Sequence, residues 1–407
     1  MVKRSSVLEG AASLRGDVAR FASRLVQTKS LSGQEAAVIE VIRREMEQVG
    51  FDDVTTDALG SVIGRIGSGR TRIAMDAHID TVDVGSPDAW TRPPFGGEID
   101  GAWVYGRGAA DQKGGMASMV YGMKLLKELD LVGDFTVYVV GSVMEEDCDG
   151  LCWRHLIEKH GLVPELAVIT EPTNLRIHRG QRGRVEFRIR TTGVSAHASA
   201  PERGENAIYK MARVVSAVEA LNARLLGDPF LGKGSIVISE IVSGSPSVNA
   251  VPDRCEVHID RRTTVGETWD TVLAETRELL HDVGVDAEVL ELNYDEPAYT
   301  GLRYPMKKVF PAWVIDETHP VIAAGVETYR QVFGGDPEVS RWDFSTNGTV
   351  ISGVYGIPVV GFGPGDEALA HAPNERVSID QLVRAAAFYA AFPRVACRRT
   401  VTREQGE

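Results

Sequence analysis

The sequence predicts an α/β protein: a large, mostly parallel sheet flanked by helices, with a smaller ferredoxin-like α+β unit inserted into it. Three observations carry this expectation. Phe135–Val143 (FTVYVVGSV), Leu166–Thr170 (LAVIT) and Ile357–Phe362 (IPVVGF) are near-continuous apolar runs rich in β-branched residues, the pattern of strands covered on both faces. Arg184–Thr191 instead alternates, with Val185, Phe187 and Ile189 on one face and Glu186, Arg188 and Arg190 on the other, as in a sheet wetted on one side. At 407 residues the chain exceeds one ordinary core, so two or three domains are expected.

Taken in order, Val7–Leu25 has helical periodicity and reads as an amphipathic helix. Ser32 and Glu35 have capping-box spacing and open a second helix to about Val49. Strands at Ser61–Ile66 and Arg72–Met75 follow, the second running into Asp76, His78 and Asp80. Met119, Val120, Met123 and Leu126 recur at helical spacing, so Met116–Leu129 is a helix whose methionines pack the core. The middle of the chain then reads strand Arg184–Thr191, helix Asn206–Leu225, strands Ser235–Val242 and Arg254–Asp260, helix Glu267–Val283 and a strand near Ala287–Leu292. That order, β-α-β-β-α-β, is the ferredoxin-like one. The expected division is 1–181, an insertion 182–300, and 301–407 returning to the larger unit. A Pro- and aromatic-rich linker, YDEPAYTGLRYPMKKVFPAW, leads back to a helix over Pro320–Phe333 and a last helix opened by Ser378 and Gln381 in capping-box spacing. TVTREQGE reads as a frayed tail.

Composition is that of an ordinary soluble globular protein, 43% hydrophobic and 25% charged. A net charge of −13 argues against nucleic acid or an anionic membrane as partner. The first residues lack a secretory-type apolar core, and no apolar run approaches membrane-spanning length. Cys148 and Cys152 are spaced CDGLC, not CxxC; with Cys255 and Cys397 they read as reduced thiols of a cytoplasmic protein.

Strand after strand delivers a carboxylate or an imidazole just beyond its carboxyl end: His78 and Asp80, then Glu145-Glu146-Asp147, then Glu171, then His371 nine residues past Phe362. In open α/β sheets that edge is where ligands bind. Asp111 lies among Gly101, Gly106, Gly108, Gly114 and Gly115, which allow tight turns and close backbone approach. A lone HxD is equally a core histidine, and an isolated Glu-Glu-Asp equally a solvated turn. Together, however, His78, Asp111, Glu146, Glu171 and His371 supply two imidazoles and three carboxylates without a thiolate, a set suited to Zn²⁺, Co²⁺ or Mn²⁺. Five ligands exceed what one tetrahedral zinc requires. A pair of ions roughly 3.5–4 Å apart and bridged by Asp111 fits better, lowering a bound water's pKa towards about 7 and polarising a carbonyl. Glu145 is left over as a general base, and Asp80 projects beside His78 to fix its tautomer.

The stretches HIDTV, GRGAADQKGG, MEED, ITEPT, GVSAHASAPERGENA, NAVPDR…DRR and AHAPNE occur in the order seen in the M20-type metallopeptidases. Over nearly its whole length the chain resembles this group, which includes acetylornithine deacetylase, succinyl-diaminopimelate desuccinylase, aminoacylases and carboxypeptidase G. It is most similar to the subgroup labelled selenium-metabolism-linked hydrolases. The resemblance implies that His78 and Glu171 bind one metal, Glu146 and His371 the other, and Asp111 both. It further implies Glu145 as base, Asp80 as the group orienting His78, and a cis peptide between Asp111 and Gln112. The inserted unit becomes a lid that joins a homodimer and closes over the metals, carrying His197 across to the substrate's carbonyl oxygen. Asn249 and Arg262 match substrate-contacting positions, with Arg261 a rival for the carboxylate fork. Where many relatives have a GGTDA-like loop, this chain has RWDFSTNG (Arg341–Gly348), so Ser345, Thr346 and Asn347 are expected to make the polar contacts. The implied activity is hydrolysis of the amide bond of an N-acyl amino acid or small peptide by metal-activated water. The alternatives are a carbamoyl or other C–N bond of a nitrogen-rich metabolite, or a non-catalytic metal-binding protein; a binder has no need of Glu145.

Overall fold

The computed structural model describes residues 4–404. Helices α1 (Arg4–Ser13), α2 (Arg15–Gln27) and α3 (Ala36–Val49) precede strands β1 (Asp53–Thr56), β2 (Val62–Ile66) and β3 (Thr71–His78). Next come α4 (Gly114–Glu128), β4 (Phe135–Ser142), α5 (Leu151–His155), β5 (Leu166–Ile169) and β6 (Ile177–Gln181). A second group follows: β7 (Gly183–Thr192), α6 (Ala207–Arg224), β8 (Ser235–Gly244), β9 (Arg254–Thr263), α7 (Trp269–Asp282) and β10 (Ala287–Glu291). The chain returns with β11 (Trp313–Val314), α8 (Pro320–Phe333), β12 (Val339–Trp342), β13 (Val359–Gly361) and α9 (Ile379–Glu404).

The large sheet runs β1-β2-β4-β3-β5-β13-β6-β11, with β12 also on β6. Its centre is parallel: β3 pairs in parallel with β4 and β5, and β13 with β5. The side chains of Val137, Val139, Ile73, Met75, Val168 and Val360 are all fully buried, as the continuous apolar runs require. Helices α4 and α9 cross so closely that a Cβ on Gly122 would lie 2.9 Å from the Ala386 carbonyl oxygen.

The second sheet is antiparallel throughout, in the order β8-β9-β7-β10, with the ferredoxin-like connectivity. Val185, Phe187 and Ile189 of β7 join Cys255, Val257 and Ile259 of β9 and the inner faces of α6 and α7 in an apolar cluster of its own. Strand β8 is a free edge, with Val237, Ile241 and Val242 exposed along it. The large sheet, parallel at its centre and antiparallel at its flanks, and the separate antiparallel unit together make the mixed α/β fold that the sequence predicts.

Local expectations failed where tertiary partners won. The N-terminal helix is two helices, broken at Leu14 (φ −87°, ψ 0°). Neither predicted capping box forms. The Ser32 hydroxyl donates instead to Asp80 Oδ2 (2.7 Å), while Glu35 Oε1 accepts the Gly33 and Met144 N–H groups (2.9 and 3.1 Å). Gln381 accepts the Gly365 N–H (2.7 Å) and donates to Asn174 (3.1 Å). Helix α9 continues through the start of the expected tail to Glu404, and residues 405–407 lie outside the described residues. Cys148, Cys152 and Cys255 are free and buried, and Cys397 is buried with its Sγ 3.6 Å from the Thr71 hydroxyl. Among the described residues no helix is long and apolar enough to cross a membrane.

Candidate metal centre

Parallel strands β4, β3 and β5 lie side by side, so their carboxyl ends open on one place. His78 is the last residue of β3; Glu145 and Glu146 follow β4, and Glu171 follows β5. His371 comes from the loop after β13. Asp111 enters from the segment between β3 and α4, where Gly108 takes φ 84° to turn the chain inward. The Asp111–Gln112 peptide is cis, as the resemblance implied.

The donor atoms converge. Asp111 Oδ1 lies 2.9 Å from His78 Nε2, and Asp111 Oδ2 lies 3.4 Å from His371 Nε2. One carboxylate thus faces two imidazoles with a different oxygen for each. His78 Nε2 is also 3.6 Å from Glu171 Oε1 and 3.9 Å from Glu145 Oε2, and His371 Nε2 is 2.9 Å from Glu146 Oε2. Two overlapping sets, His78–Glu145–Glu171 and His78–Asp111–Glu146, each gather their ligand atoms within 4.8 Å of one another.

These groups fit divalent cations. Among the described residues Glu171 Oε2 and Glu145 Oε1 are buried without a hydrogen-bond partner, although buried carboxylate oxygens are normally satisfied. Burial and neighbouring carboxylates push Glu145 and Glu171 well above the usual carboxylate range, and Glu146 is raised for the same reasons. Burial disfavours the His78 imidazolium, but Glu145, Glu171, Asp111 and Asp80 outweigh it and raise its pKa. Hydrogen bonds to Asp111 and Glu146 lift His371 to about 10. Against its burial, bonds to His371 and His78 hold Asp111 below the usual range. The cluster demands positive charge, and its oxygen and imidazole donors suit borderline divalent ions.

Asp80 differs from expectation in detail. His78 Nδ1 meets the Asp80 main-chain oxygen at 3.0 Å, whereas the carboxylate is 3.5 Å away. That carboxylate is taken up by the Ser32 hydroxyl and by the N–H groups of Glu145 (3.2 Å) and Glu146 (3.1 Å). It therefore ties the β3 end to the loop bearing both glutamates.

The remaining predicted residues divide. Arg262 and Ser345 line a cleft of about 290 Å³ together with the metal-site residues. Arg262 is forked onto Asp260 (2.7 and 3.0 Å). Its rival Arg261 points to the other face of β9, 2% exposed and paired with Glu267 and Glu275. Strand alternation held the signal for this, since Arg261 shares the face of Val257 and Ile259. Thr346 and Asn347 do not face the cleft, which corrects their expected role. Thr346 donates to Gln181 (2.6 Å), and Asn347 donates to Asp76 (2.8 Å) and Ser142 (3.0 Å) while accepting the Gly150 N–H (2.9 Å). His197 and Asn249 are exposed on the small unit and lie apart from the cleft of their own chain; His197 Nδ1 meets the Ser199 hydroxyl at 2.7 Å. Unforeseen in the cleft wall is the pair of half-buried Arg184 with buried Asp149 (2.6 Å), which links β7 to the glutamate loop. Only the fold brings these two together.

A carboxylate–imidazole cluster at the carboxyl edge of an α/β sheet defines a metallohydrolase scaffold. The chain belongs to Peptidase family M20/M25/M40, whose family model matches residues 74–394. It is 50% identical over 387 residues to the uncharacterised protein YgeY of Escherichia coli (strain K12), spanning 95% of this chain and 96% of YgeY. It is 27% identical over 261 residues to the succinyl-diaminopimelate desuccinylase of Cereibacter sphaeroides, spanning 60% of this chain and 67% of that protein. Its fold matches that of Bacillus subtilis YXEP, described as a dinuclear metal binding peptidase from the M20 family, with a TM-score of 0.67 at 18% identity over 95% of this chain and 98% of the other.

Proposed function

We propose that this chain is a dinuclear metal-dependent amidohydrolase that cleaves the amide bond of an N-acyl amino acid or small peptide, with Glu145 as general base. The observation that carries the reading is the Asp111 carboxylate, which offers one oxygen towards each of two histidines. His78 and Glu171 would hold one ion, Glu146 and His371 the other, and Asp111 both. Zinc is the first candidate, cobalt and manganese the alternatives. Bound divalent ions supply Lewis acidity that polarises the scissile carbonyl and makes water a far stronger acid.

Glu145 Oε1, buried and uncommitted, takes a proton from the attacking water and delivers it to the leaving nitrogen as the C–N bond breaks. Arg262 in the cleft wall, held by Asp260 through Nε and Nη2, would turn its remaining Nη1 donors to a substrate carboxylate, and Ser345 lines the same cleft with a hydroxyl. The names of the desuccinylase and of YXEP favour an acyl or peptide bond on this scaffold and a two-metal centre. Placement in the reduced cytoplasm accords with the free thiols of Cys148, Cys152 and Cys255. The selenium-metabolism-linked label belongs to this reading too, and it names no substrate.

Residues 182–300 are read as a lid that also joins a homodimer. The exposed apolar edge of β8 supports this, because such an edge invites pairing. His197 and Asn249 would then act on the substrate held by the opposite subunit, His197 as donor to its carbonyl oxygen.

A panel of N-acetyl, N-succinyl, N-carbamoyl and dipeptide substrates tests the proposal on metal-loaded protein. Turnover of acyl or peptide members is expected. Activity confined to the carbamoyl compounds would move the reading to another C–N bond, and none on any member would leave a metal-binding protein. A fully active monomer in sedimentation would remove the cross-subunit role of His197.

A further inference from the structure

Beside the candidate centre lies a buried ion pair that the ligand set leaves unexplained. Arg107 and Glu375 are 2% and 0% exposed, with Arg107 Nη1 2.7 Å from Glu375 Oε2. Glu375 Oε1 accepts the main-chain N–H groups of Ala110 (2.8 Å) and Asp111 (3.0 Å). Arg107 Nη2 donates to the main-chain oxygens of His371 (3.2 Å) and Asp83 (3.4 Å), and Nη1 to that of Ala372 (3.5 Å). Its guanidinium also lies over Trp90, 5.2 Å from the ring centre. One ion pair thus grips the backbone of Asp111 on one side and of His371 on the other.

The two histidines need such help unequally. His78 is 1% exposed, and its Nδ1 is fixed by the Asp80 main-chain oxygen. His371 has a side chain 55% exposed and stands at φ 59° on a loop. Among the described residues no hydrogen bond reaches its Nδ1. A metal-binding histidine ordinarily takes its orientation from a partner on the second ring nitrogen. For His371 the hold falls on the main chain instead, through Arg107.

We propose that Arg107 and Glu375 are positioning residues of the metal centre: the pair presets the spacing between Asp111 and His371, and so the half of the centre completed by Glu146. This rests on the dinuclear reading above. A purely structural salt bridge at the same place would lower stability when lost but leave ion affinity alone.

The test uses the full chain as wild type, Arg107→Met, Arg107→Lys and Glu375→Gln, titrated with Zn²⁺ against a chelator of known affinity and then with Co²⁺ followed by its visible spectrum. Glu375→Gln is the isosteric variant: it keeps an acceptor for the Ala110 and Asp111 N–H groups and replaces the Oε2 acceptor facing Arg107 by an amide N–H donor. Wild type is expected to take two equivalents. In Arg107→Met and Glu375→Gln one equivalent keeps its affinity and the other weakens by about 10- to 100-fold, with a changed Co²⁺ band for that equivalent alone. Arg107→Lys recovers part of the loss. Should Arg107→Met fail to fold, Glu375→Gln decides alone. Two equivalents of wild-type affinity and an unaltered spectrum in the variants would overturn the positioning role. A wild type that takes fewer than two would overturn the dinuclear reading itself, so the two failures are distinct.

Discussion

The Asp80 carboxylate holds Glu145 by its main chain: the Glu145 N–H donates to Asp80 Oδ1 at 3.2 Å. Because the neighbouring Glu146 N–H binds the other oxygen at 3.1 Å, one buried acid sets the position of the proposed base and of a proposed ligand together. Asp80→Ala is therefore expected to reduce both metal affinity and kcat by about 10- to 100-fold, the usual cost of losing a group that supports ligands. Ser32→Ala, which removes one of three donors to that acid, should cost less. Metal analysis and steady-state kinetics on the two variants check this, and an Asp80→Ala enzyme with wild-type kcat would refute it.

Glu145→Gln preserves side-chain shape and removes the base. Metal content should stay at the wild-type level while kcat falls by about 10²- to 10⁴-fold, the range ascribed to general-base catalysis. Elemental analysis and single-turnover rates separate the two effects, and retained turnover excludes the role.

Ser345 and Asn347 are two residues apart yet should behave oppositely. Asn347→Ala leaves Asp76 Oδ2 and the Gly150 N–H without their partner, at about 1–3 kcal/mol of stability. Ser345→Ala, in the cleft wall, should leave the melting temperature unchanged and raise KM. A destabilised Ser345→Ala or an unaffected Asn347→Ala contradicts the placement.

Acid stability should depend on His178. It is buried against Trp342, and among the described residues neither ring nitrogen has a hydrogen-bond partner. Burial, with Arg176 nearby, depresses its pKa from 6.5 to about 3. Between these values the unfolded chain binds a proton that the folded one does not, so His178 makes stability rise with pH across that window and fall on acidification. The slope from this one group reaches about 1.4 kcal/mol per pH unit. His178→Leu should narrow the gap between melting temperatures at pH 6.5 and pH 4.5; an unchanged gap would show that His178 titrates alike in the folded and unfolded chain.

What could be read from the sequence was what lies next to a strand. The apolar runs ending at His78, Glu145-Glu146 and Glu171 announced both the parallel sheet and its chemistry, because strand and side chain are joined in the same few residues. His371 was legible at a distance from its strand, nine residues past Phe362, and Asp111 only through its glycine setting and the family resemblance. The missed features depend on packing between distant segments. Arg107 and Glu375 stand 268 positions apart, and no spacing rule connects them. Ser32 and Gln381 had capping spacing, but buried partners on Asp80 and Gly365 outcompeted a local bond. In RWDFSTNG the order of polar residues could not tell which one faces the cleft; contacts with β6 and β4 turn Thr346 and Asn347 inward.

The most direct test is exhaustive chelation of the purified chain, with turnover followed as Zn²⁺, Co²⁺ or Mn²⁺ is returned. If His78, Asp111, Glu146, Glu171 and His371 hold catalytic ions, activity vanishes with the metal and returns as up to two equivalents are restored. Undiminished turnover by metal-free protein would contradict the centre outright.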